Sequence, residues 1–182
     1  LLRESDIDFD EPRILLDVET TADEIAAVSP AGTVPVLKIG DLTVWDTMAI
    51  AETVAERWPE KTLWPEDPDL RAHARSICAE MHSGFHQLRE QMPMNCRAMG
   101  RQVPLPDELT DDIDRIIEIW SECHKKYSGD SGWLFGHFTV ADATFAPVVL
   151  RLRTYGINLP QSAGYFPHRV LESEAMQDWL AA

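Results

Sequence analysis

The sequence has few basic residues, few cysteines and no long apolar run. Its 182 residues carry 16 lysines and arginines against 31 aspartates and glutamates, which gives a formal net charge of −15. Nucleic acid and anionic membrane surfaces would repel such a chain, so both are disfavoured as partners. No apolar stretch approaches the roughly 18 residues that a membrane-spanning helix needs, and no secretory signal is visible.

The three cysteines, Cys78, Cys96 and Cys123, form no Cys-x-x-Cys pair and have no metal-ligand spacing. This usage predicts reduced thiols, no bound metal and a cytoplasmic protein. Cys78 and Cys123 fall on apolar helix faces and are expected to be buried and inert. The chain is nevertheless 45% hydrophobic, which suffices for a sizeable core.

The first part of the chain alternates between short strand and helix patterns. A strand is predicted at residues 12–18, where apolar and β-branched side chains follow one another. Thr20 or Thr21 begins a short helix that ends at Val28. The remaining predictions are strands at 34–39 and 42–45, paired across Gly40 and Asp41, and a helix at 47–58.

The rest of the chain changes to long helices. Residues 59–69 hold three prolines and five charged side chains, which indicates a linker. Helices are predicted at 70–92, 107–126, 139–155 and 168–180. Strands and helices followed by helices alone predict an α+β domain at 1–58, a linker at 59–69 and an all-α helical domain at 70–182.

One segment of the first domain suggests a binding site. Pro35 opens a strand and pushes Val34 into an extended conformation, so the backbone groups of Val34 can face outward. After the hairpin, Asp46 or Thr47 caps the next helix. A helix N-terminus beside an extended backbone can hold a small peptide or its carboxylate.

Two motifs carry a resemblance to a known family. Val34-Pro35 followed by Asp46-Thr47, and far downstream Thr139-Val140-Ala141-Asp142, resemble the glutathione S-transferase superfamily in order and separation. The chain is similar to bacterial cytosolic members, with some similarity to the zeta or maleylacetoacetate isomerase-like class. The resemblance implies a thioredoxin-like first domain with a cis proline at Pro35 and an all-helical second domain.

The resemblance also implies site residues for glutathione as co-substrate. The Val34 backbone beside Pro35 would bind the cysteinyl part, Thr47 the γ-glutamyl carboxylate and Asp46 its ammonium. Asp and Thr are also ordinary helix caps, so a purely structural role for this pair stays open. Thr33 and Lys38 would face the peptide as well, although Lys38 is equally well explained as a solvent-exposed side chain.

Leu1-Leu2-Arg3-Glu4 is typical of the last turn of a helix. By comparison with the family, we expect a segment of about 20 residues before Leu1, too long to be a frayed terminus. The family carries its catalytic Ser, Tyr or Cys in that segment. The catalytic residue is therefore expected outside this sequence.

A co-substrate pocket is expected on the first long helix. His82, His86 and Arg89 are spaced to share one helix face, and an apolar row with Phe85 and Met92 lies beside it. In the family this helix lines the cleft for the electrophile. A solvated polar face explains the three polar residues equally well, and a metal site lacks a third ligand.

Thr139-x-x-Asp142 indicates a folding role. A threonine followed three residues later by an acid forms a capping box at a helix start. We therefore expect Asp142 to contribute to stability and to take no part in catalysis.

The favoured function is that of a cytoplasmic, dimeric glutathione transferase that conjugates small hydrophobic electrophiles and acts in detoxification. One alternative is a glutathione-dependent isomerase of a small dicarboxylate, for which Arg89, Arg97 and Arg153 would supply positive charge. The other is a transferase-like binding module without turnover. Retention of both Val34-Pro35 and Asp46-Thr47 argues against that module.

Overall fold

The computed structural model describes residues 1–181, which divide into two compact units. The first is Leu1–Thr62 and the second begins at Leu63. This division falls inside residues 59–69, the predicted linker. None of the helices in the described chain is both long and apolar enough to cross a bilayer.

The first unit contains one hairpin and two helices. After a 3₁₀ turn at Arg3–Ser5, its elements are α1 (Thr21–Val28), β1 (Leu37–Ile39), β2 (Leu42–Val44) and α2 (Thr47–Arg57), and a second 3₁₀ turn follows at Pro59–Lys61. The strands pair antiparallel, with Leu37 opposite Val44 and Ile39 opposite Leu42. Gly40 takes a φ of 59°, which suits a tight hairpin turn. The hairpin and both helices agree with the sequence prediction, except that β1 begins at Leu37 and the predicted strand residues 34–36 lie outside it.

The predicted strand at residues 12–18 is wrong. The structure has no strand there, and Leu15 and Leu16 are exposed. A strand needs a neighbouring strand to take up its backbone hydrogen bonds, and none lies beside this segment in residues 1–181. The backbone also turns at Asp17, which has a φ of 60°. Thr21 instead ties the turn to α1, since its hydroxyl donates to Leu15 O and accepts from Val18 N–H.

The second unit is all-helical within its described residues. Its elements are α3 (Pro68–Ser83), α4 (His86–Gln91), α5 (Asp107–Cys123), a π-helical turn (His124–Ser128), α6 (Val140–Thr154), a 3₁₀ turn (Gln161–Ala163), α7 (Phe166–Glu172) and α8 (Glu174–Ala181). Helix α6 packs against α3 and α7, and α4 packs against α5. The predicted α5 and α6 agree with the structure to within a few residues, although the end of α5 passes into the π turn.

Two helices predicted as continuous are each broken. The helix predicted at 70–92 divides into α3 and α4 because Gly84 is extended and Phe85 takes a left-handed φ of 55°. A Cβ on Gly84 would lie 2.8 Å from Glu80 O, so this close approach requires glycine. The helix predicted at 168–180 divides at Ser173, whose hydroxyl donates to Val170 O and accepts from Met176 N–H.

The core of the second unit is aromatic. Trp120 is fully buried and meets Phe145 and Phe166 edge to face, with ring centroids 6.0 and 5.2 Å apart. Full burial of a phenylalanine side chain contributes roughly 1.5–3 kcal/mol. Cys78 and Cys123 are fully buried as predicted, and burial raises the pKa of the Cys123 thiol to about 12. Both thiols are therefore inert at neutral pH.

The predicted capping box at the start of α6 is confirmed, and it reaches further than the motif alone. Both halves of the box between Thr139 and Asp142 are present. Asp142 Oδ2 accepts from Thr139 N–H at 2.7 Å and from its hydroxyl at 2.8 Å. Asp142 Oδ1 accepts from Leu134 N–H at 2.9 Å, which ties the preceding loop to the helix. One buried carboxylate thus fixes both the helix start and the chain that leads into it.

Burial sets the protonation of this carboxyl group. Removal from water raises the pKa of Asp142 from its ordinary value of 3.8 to about 6, against the hydrogen bonds from Leu134 and Thr139, which lower it. The folded protein therefore holds a proton on Asp142 at a pH where the unfolded chain has released it.

We predict that Asp142→Ala lowers the free energy of unfolding by at least about 2 kcal/mol, because it leaves the buried N–H groups of Leu134 and Thr139 without an acceptor. Urea unfolding of the purified protein measures the change. Asp114→Ala on the exposed face of α5 is the matched control and should change the value by less than about 0.5 kcal/mol. Equal stability of the two variants would contradict the assigned role.

The same group predicts a pH dependence of stability. Between about pH 4 and pH 6 the folded state binds the Asp142 proton and the unfolded state does not, so this contribution falls as the pH rises and levels off above the folded pKa. Asp142→Asn cannot titrate. The free energy of unfolding of the wild type minus that of Asp142→Asn, measured in urea from pH 4 to pH 8, should decrease with pH. A constant or rising difference would contradict the raised pKa.

Candidate functional site

A tight turn after α1 leads into the candidate site. Ser29 is buried and caps the end of α1, where its N–H donates to Ile25 O at 2.8 Å. Gly32 N–H donates to Ser29 O, and Thr33 N–H donates to Ser29 Oγ at 3.2 Å. Gly32 has a φ of 68°, a conformation that suits glycine. One buried serine therefore fixes the chain immediately before Val34.

The Val34–Pro35 peptide bond is cis, as the resemblance implied. Val34 is 44% exposed and precedes β1. Its N–H and C=O make no hydrogen bond within residues 1–181. Both backbone groups are thus open to an external partner, as the extended conformation before a proline predicts.

The helix start lies at the same end of the hairpin. Leu37 pairs with Val44, so Pro35, two residues before β1, and Asp46, two residues after β2, both flank the same end of the hairpin. Asp46 is the N-cap of α2, and its Oδ1 accepts from Met48 N–H at 2.9 Å. The Trp45–Asp46 bond is also cis, which nothing in the sequence indicated.

The cap leaves donors at the start of α2 unused. Asp46 takes the N–H of Met48, whereas the N–H groups of Thr47 and Ala49 have no acceptor among the described residues. Thr47 is exposed, and its hydroxyl makes no hydrogen bond there either. Unpaired amides at a helix N-terminus, with the positive end of the helix dipole, favour a carboxylate.

Thr33 and Lys38 are both exposed near this position. Thr33 precedes Val34, and Lys38 lies on β1 opposite Thr43. The structure thus brings Thr33, Val34, Pro35, Asp46 and Thr47 to one end of the hairpin and leaves Lys38 within the strand. This end presents an extended backbone, a hydroxyl, a carboxylate and free amides, a set that can bind an amino acid or a short peptide.

The residues predicted for the co-substrate pocket do not share one helix face. His82 lies on α3 and His86 begins α4, because the chain breaks at Gly84 and Phe85 between them. Phe85 and Met92 are buried in the core of the second unit. Both histidines are exposed.

Arg89 has a structural role in this break. Its Nη2 donates to Met81 O at 2.6 Å and to His82 O at 3.4 Å, and its Nε donates to Gly84 O at 3.2 Å. These carbonyls end α3, where the helix cannot satisfy them itself. The folded chain thus uses the Nε and Nη2 donors of Arg89, and its role toward a substrate stays a prediction.

Two supports of α4 were not predicted. Asp112 Oδ2 accepts from Leu88 N–H at 3.0 Å, and Arg151 Nε donates to Met92 O at 3.0 Å. These contacts join residues 24 and 59 positions apart. No periodicity or local motif indicates such pairs, so the sequence held no signal for them.

The chain is similar to several known proteins. The profile of the family "Glutathione S-transferase, N-terminal domain" matches residues 1–57. A probable maleylacetoacetate isomerase of Caenorhabditis elegans is 25% identical over 84% of this chain and 71% of its own length. A stringent starvation protein A homolog of Coxiella burnetii is 24% identical over 81% and 66%. The chain spans about two thirds of the length of the curated relatives that it matches.

The solved structures agree on the fold. A glutathione transferase homolog from Burkholderia with bound glutathione superposes with a TM-score of 0.71, at 23% identity, over 99% of this chain and 85% of its own. A small α+β unit with this hairpin, followed by an all-helical unit, therefore has the glutathione S-transferase fold, as predicted. The family profile over the first unit, the relatives and the fold together support membership of the glutathione S-transferase superfamily.

The contacts of Arg89 predict a loss of stability on its removal. Arg89→Ala should lower the free energy of unfolding in urea by about 1–3 kcal/mol, because the carbonyls of Met81 and Gly84 lose charged donors. His86→Ala, three residues away on α4 and exposed, is the control and should stay near the wild type. If Arg89→Ala unfolds like the wild type, the guanidinium does not hold the end of α3.

Proposed function

We propose that this protein binds glutathione through its first unit and delivers the thiol to a small hydrophobic electrophile, as a glutathione transferase. The proposal is supported by open backbone groups at Val34 and unused amides at the start of α2, which flank the same end of the hairpin. A tripeptide with a free α-amino acid end needs both kinds of partner. The bound glutathione of the Burkholderia homolog supports the ligand class.

Each residue then has a distinct role toward the tripeptide. The N–H and C=O of Val34 pair with the cysteinyl backbone, as one strand pairs with another. The γ-glutamyl carboxylate binds the Thr47 hydroxyl and the amides of Thr47 and Ala49. The Asp46 carboxylate, held in place by Met48 N–H, pairs with the γ-glutamyl ammonium. Thr33 and Lys38 border the peptide.

The reaction would run through the glutathione thiolate. Hydrogen bonds to the thiolate lower the thiol pKa, and the thiolate then attacks the electrophile to form a thioether while a leaving group departs or a double bond takes up a proton. The second unit would supply the apolar pocket, with the exposed His82 and His86 at its polar edge. The protein would act in the cytoplasm as a homodimer.

Calorimetric titration of glutathione into the complete protein tests the binding step. Wild-type protein should bind, and Asp46→Asn and Thr47→Ala should each weaken the affinity by about tenfold, since each removes a charge or a hydrogen bond at the γ-glutamyl end of the ligand. Asp46→Asn keeps an oxygen that can cap Met48, so α2 should remain folded.

The control is Asp41→Asn in the exposed hairpin turn, which makes the same chemical change away from the proposed contacts. It should bind glutathione like the wild type. A folded wild-type protein without measurable binding would reject the transferase proposal and favour a module without turnover. Equal weakening in Asp41→Asn and Asp46→Asn would reject the assigned ammonium contact.

A glutathione-dependent isomerase of a small dicarboxylate is the second candidate. Relatives named maleylacetoacetate isomerase, at 25% to 28% identity, favour it. Two carboxylates would call for cationic partners, and the donors of Arg89 are already taken by backbone carbonyls. Assays of thioether formation from an activated aryl halide and of cis-to-trans isomerisation of maleylacetoacetate, each with and without glutathione, separate the two reactions.

A further inference from the structure

One arginine of the second unit has donors that the folded chain does not use. Arg169 lies on α7, and its Nε is buried and makes no hydrogen bond within residues 1–181. Its Nη1 and Nη2 groups make none either, and no carboxylate of those residues forms an ion pair with them. Buried donors in native proteins nearly always have a partner, and a charged donor is the most costly to leave without one. The unused donors of this guanidinium therefore require an explanation.

Aromatic packing holds the side chain in place without using those donors. The guanidinium carbon of Arg169 lies 4.7 Å from the centroid of the Trp133 ring, and Trp133 meets Phe138 edge to face at 5.2 Å. Trp133 is buried, so the indole is a fixed platform. An aromatic face attracts a cation, but it supplies no oxygen that could accept from the N–H groups.

A second unpaired donor lies beside Arg169. Gly132, in the loop before α6, is buried, and its N–H makes no hydrogen bond with any described residue. A Cβ at this position would lie 3.2 Å from Arg169 Cβ and 2.8 Å from Tyr165 Cδ1, and Gly132 has a φ of 78°. Glycine alone suits such a close approach with a positive φ. The sequence therefore keeps a free backbone amide next to the arginine.

The one carboxylate of α7 is engaged elsewhere. Glu172 follows Arg169 by three residues, a spacing at which two side chains of a helix can form an ion pair. Instead, Glu172 accepts a hydrogen bond from the Tyr165 hydroxyl. The Tyr165 ring stacks on His168, with centroids 5.6 Å apart, which holds the tyrosine in this position. The positive charge of Arg169 is therefore left without a carboxylate partner.

We propose that Arg169 and the N–H of Gly132 bind a small oxyanion, a phosphate or a carboxylate group. Arginine presents its N–H groups in a planar fork that matches both groups, and a backbone amide adds a further donor. Arg169 is half-buried, and its unpaired Nη1 and Nη2 are not among the buried atoms, so an anion can reach them from solvent. The net charge of −15 repels polyanions at a distance, which favours a ligand of low charge.

A packing role for Arg169 explains fewer of these observations. Stacking on Trp133 accounts for the place of the side chain, but not for the unpaired Gly132 amide beside it or for the engagement of Glu172 by Tyr165. All of these residues belong to the second unit, and none is assigned to glutathione. The inference goes beyond the proposed transferase function and does not depend on it.

NMR titration of the complete, nitrogen-15-labelled protein tests the proposal, with sodium phosphate and sodium acetate replacing sodium chloride at constant ionic strength. The Gly132 N–H and Arg169 Nε–H signals should shift along saturating curves with one dissociation constant, and the tighter anion identifies the group that the site prefers. Arg169→Gln, followed at Gly132, should weaken binding by about tenfold or more, because it removes charge-assisted hydrogen bonds. Arg169→Lys should bind with intermediate affinity, since it keeps the charge and loses the fork.

The control is Arg57→Gln, the same chemical change at an exposed position of α2. Its dissociation constant should stay within about twofold of the wild-type value, since distant charges are screened. Thermal melting establishes that the variants fold, and glutathione affinity measured in parallel should be equal in Arg169→Gln and the wild type. Shifts that grow without saturation, that sodium chloride alone reproduces, or that persist unchanged in Arg169→Gln would each overturn the proposal.

Discussion

The second unit depends on one buried carboxylate. An unpaired charge in a protein interior is costly, and Asp142 is compensated by hydrogen bonds from Thr139 and Leu134. Because these bonds fix where α6 begins, they also fix which of its side chains reach α3 and α7. The other end of the same helix holds the loop at 92–106 through Arg151 and Thr154. A polar contact at one end of α6 thus helps to set the position of the loop at 92–106, about 22 Å away at the other end.

An aspartate also caps a helix in the first unit, but there the cap is exposed. Asp46 begins α2, and its side chain accepts a hydrogen bond from Met48 N–H. At Asp142 the neighbouring N–H groups are satisfied internally, whereas the backbone groups of Val34 and the N–H groups of Thr47 and Ala49 have no partner among the described residues. Exposed polar groups cost little in water, so a protein can keep them for a ligand. The difference in burial separates a folding motif from a candidate binding site.

Features with a local cause could be predicted from the sequence. The hairpin, the limits of α1 and α2 and the box at Thr139 each follow from residues a few positions apart. The prediction of a strand at 12–18 was wrong because a strand needs a neighbouring strand, which its own residues do not specify. The break at Gly84 was not predicted because the apolar helical period continues through it. Only the close approach of this residue to Glu80 O explains why it is a glycine. The candidate site at the end of the hairpin could be predicted because its residues lie in two short local motifs. The contacts of Arg89 could not be predicted, because they depend on the break between α3 and α4.

The net charge shows which conclusions about binding partners composition alone can support. A value of −15 describes the field at a distance, and there it disfavours long polyanions. At contact distance the positions of the individual charged side chains determine the interaction, and the fold sets those positions. Arg97 and Arg101 lie on a loop without acidic residues, which is held to the end of α6 by the bonds of Asn95 and Arg101 to Thr154. An acidic protein can therefore carry a locally basic loop, and a charged group close to such a loop responds to its local charges more than to the net charge of the chain.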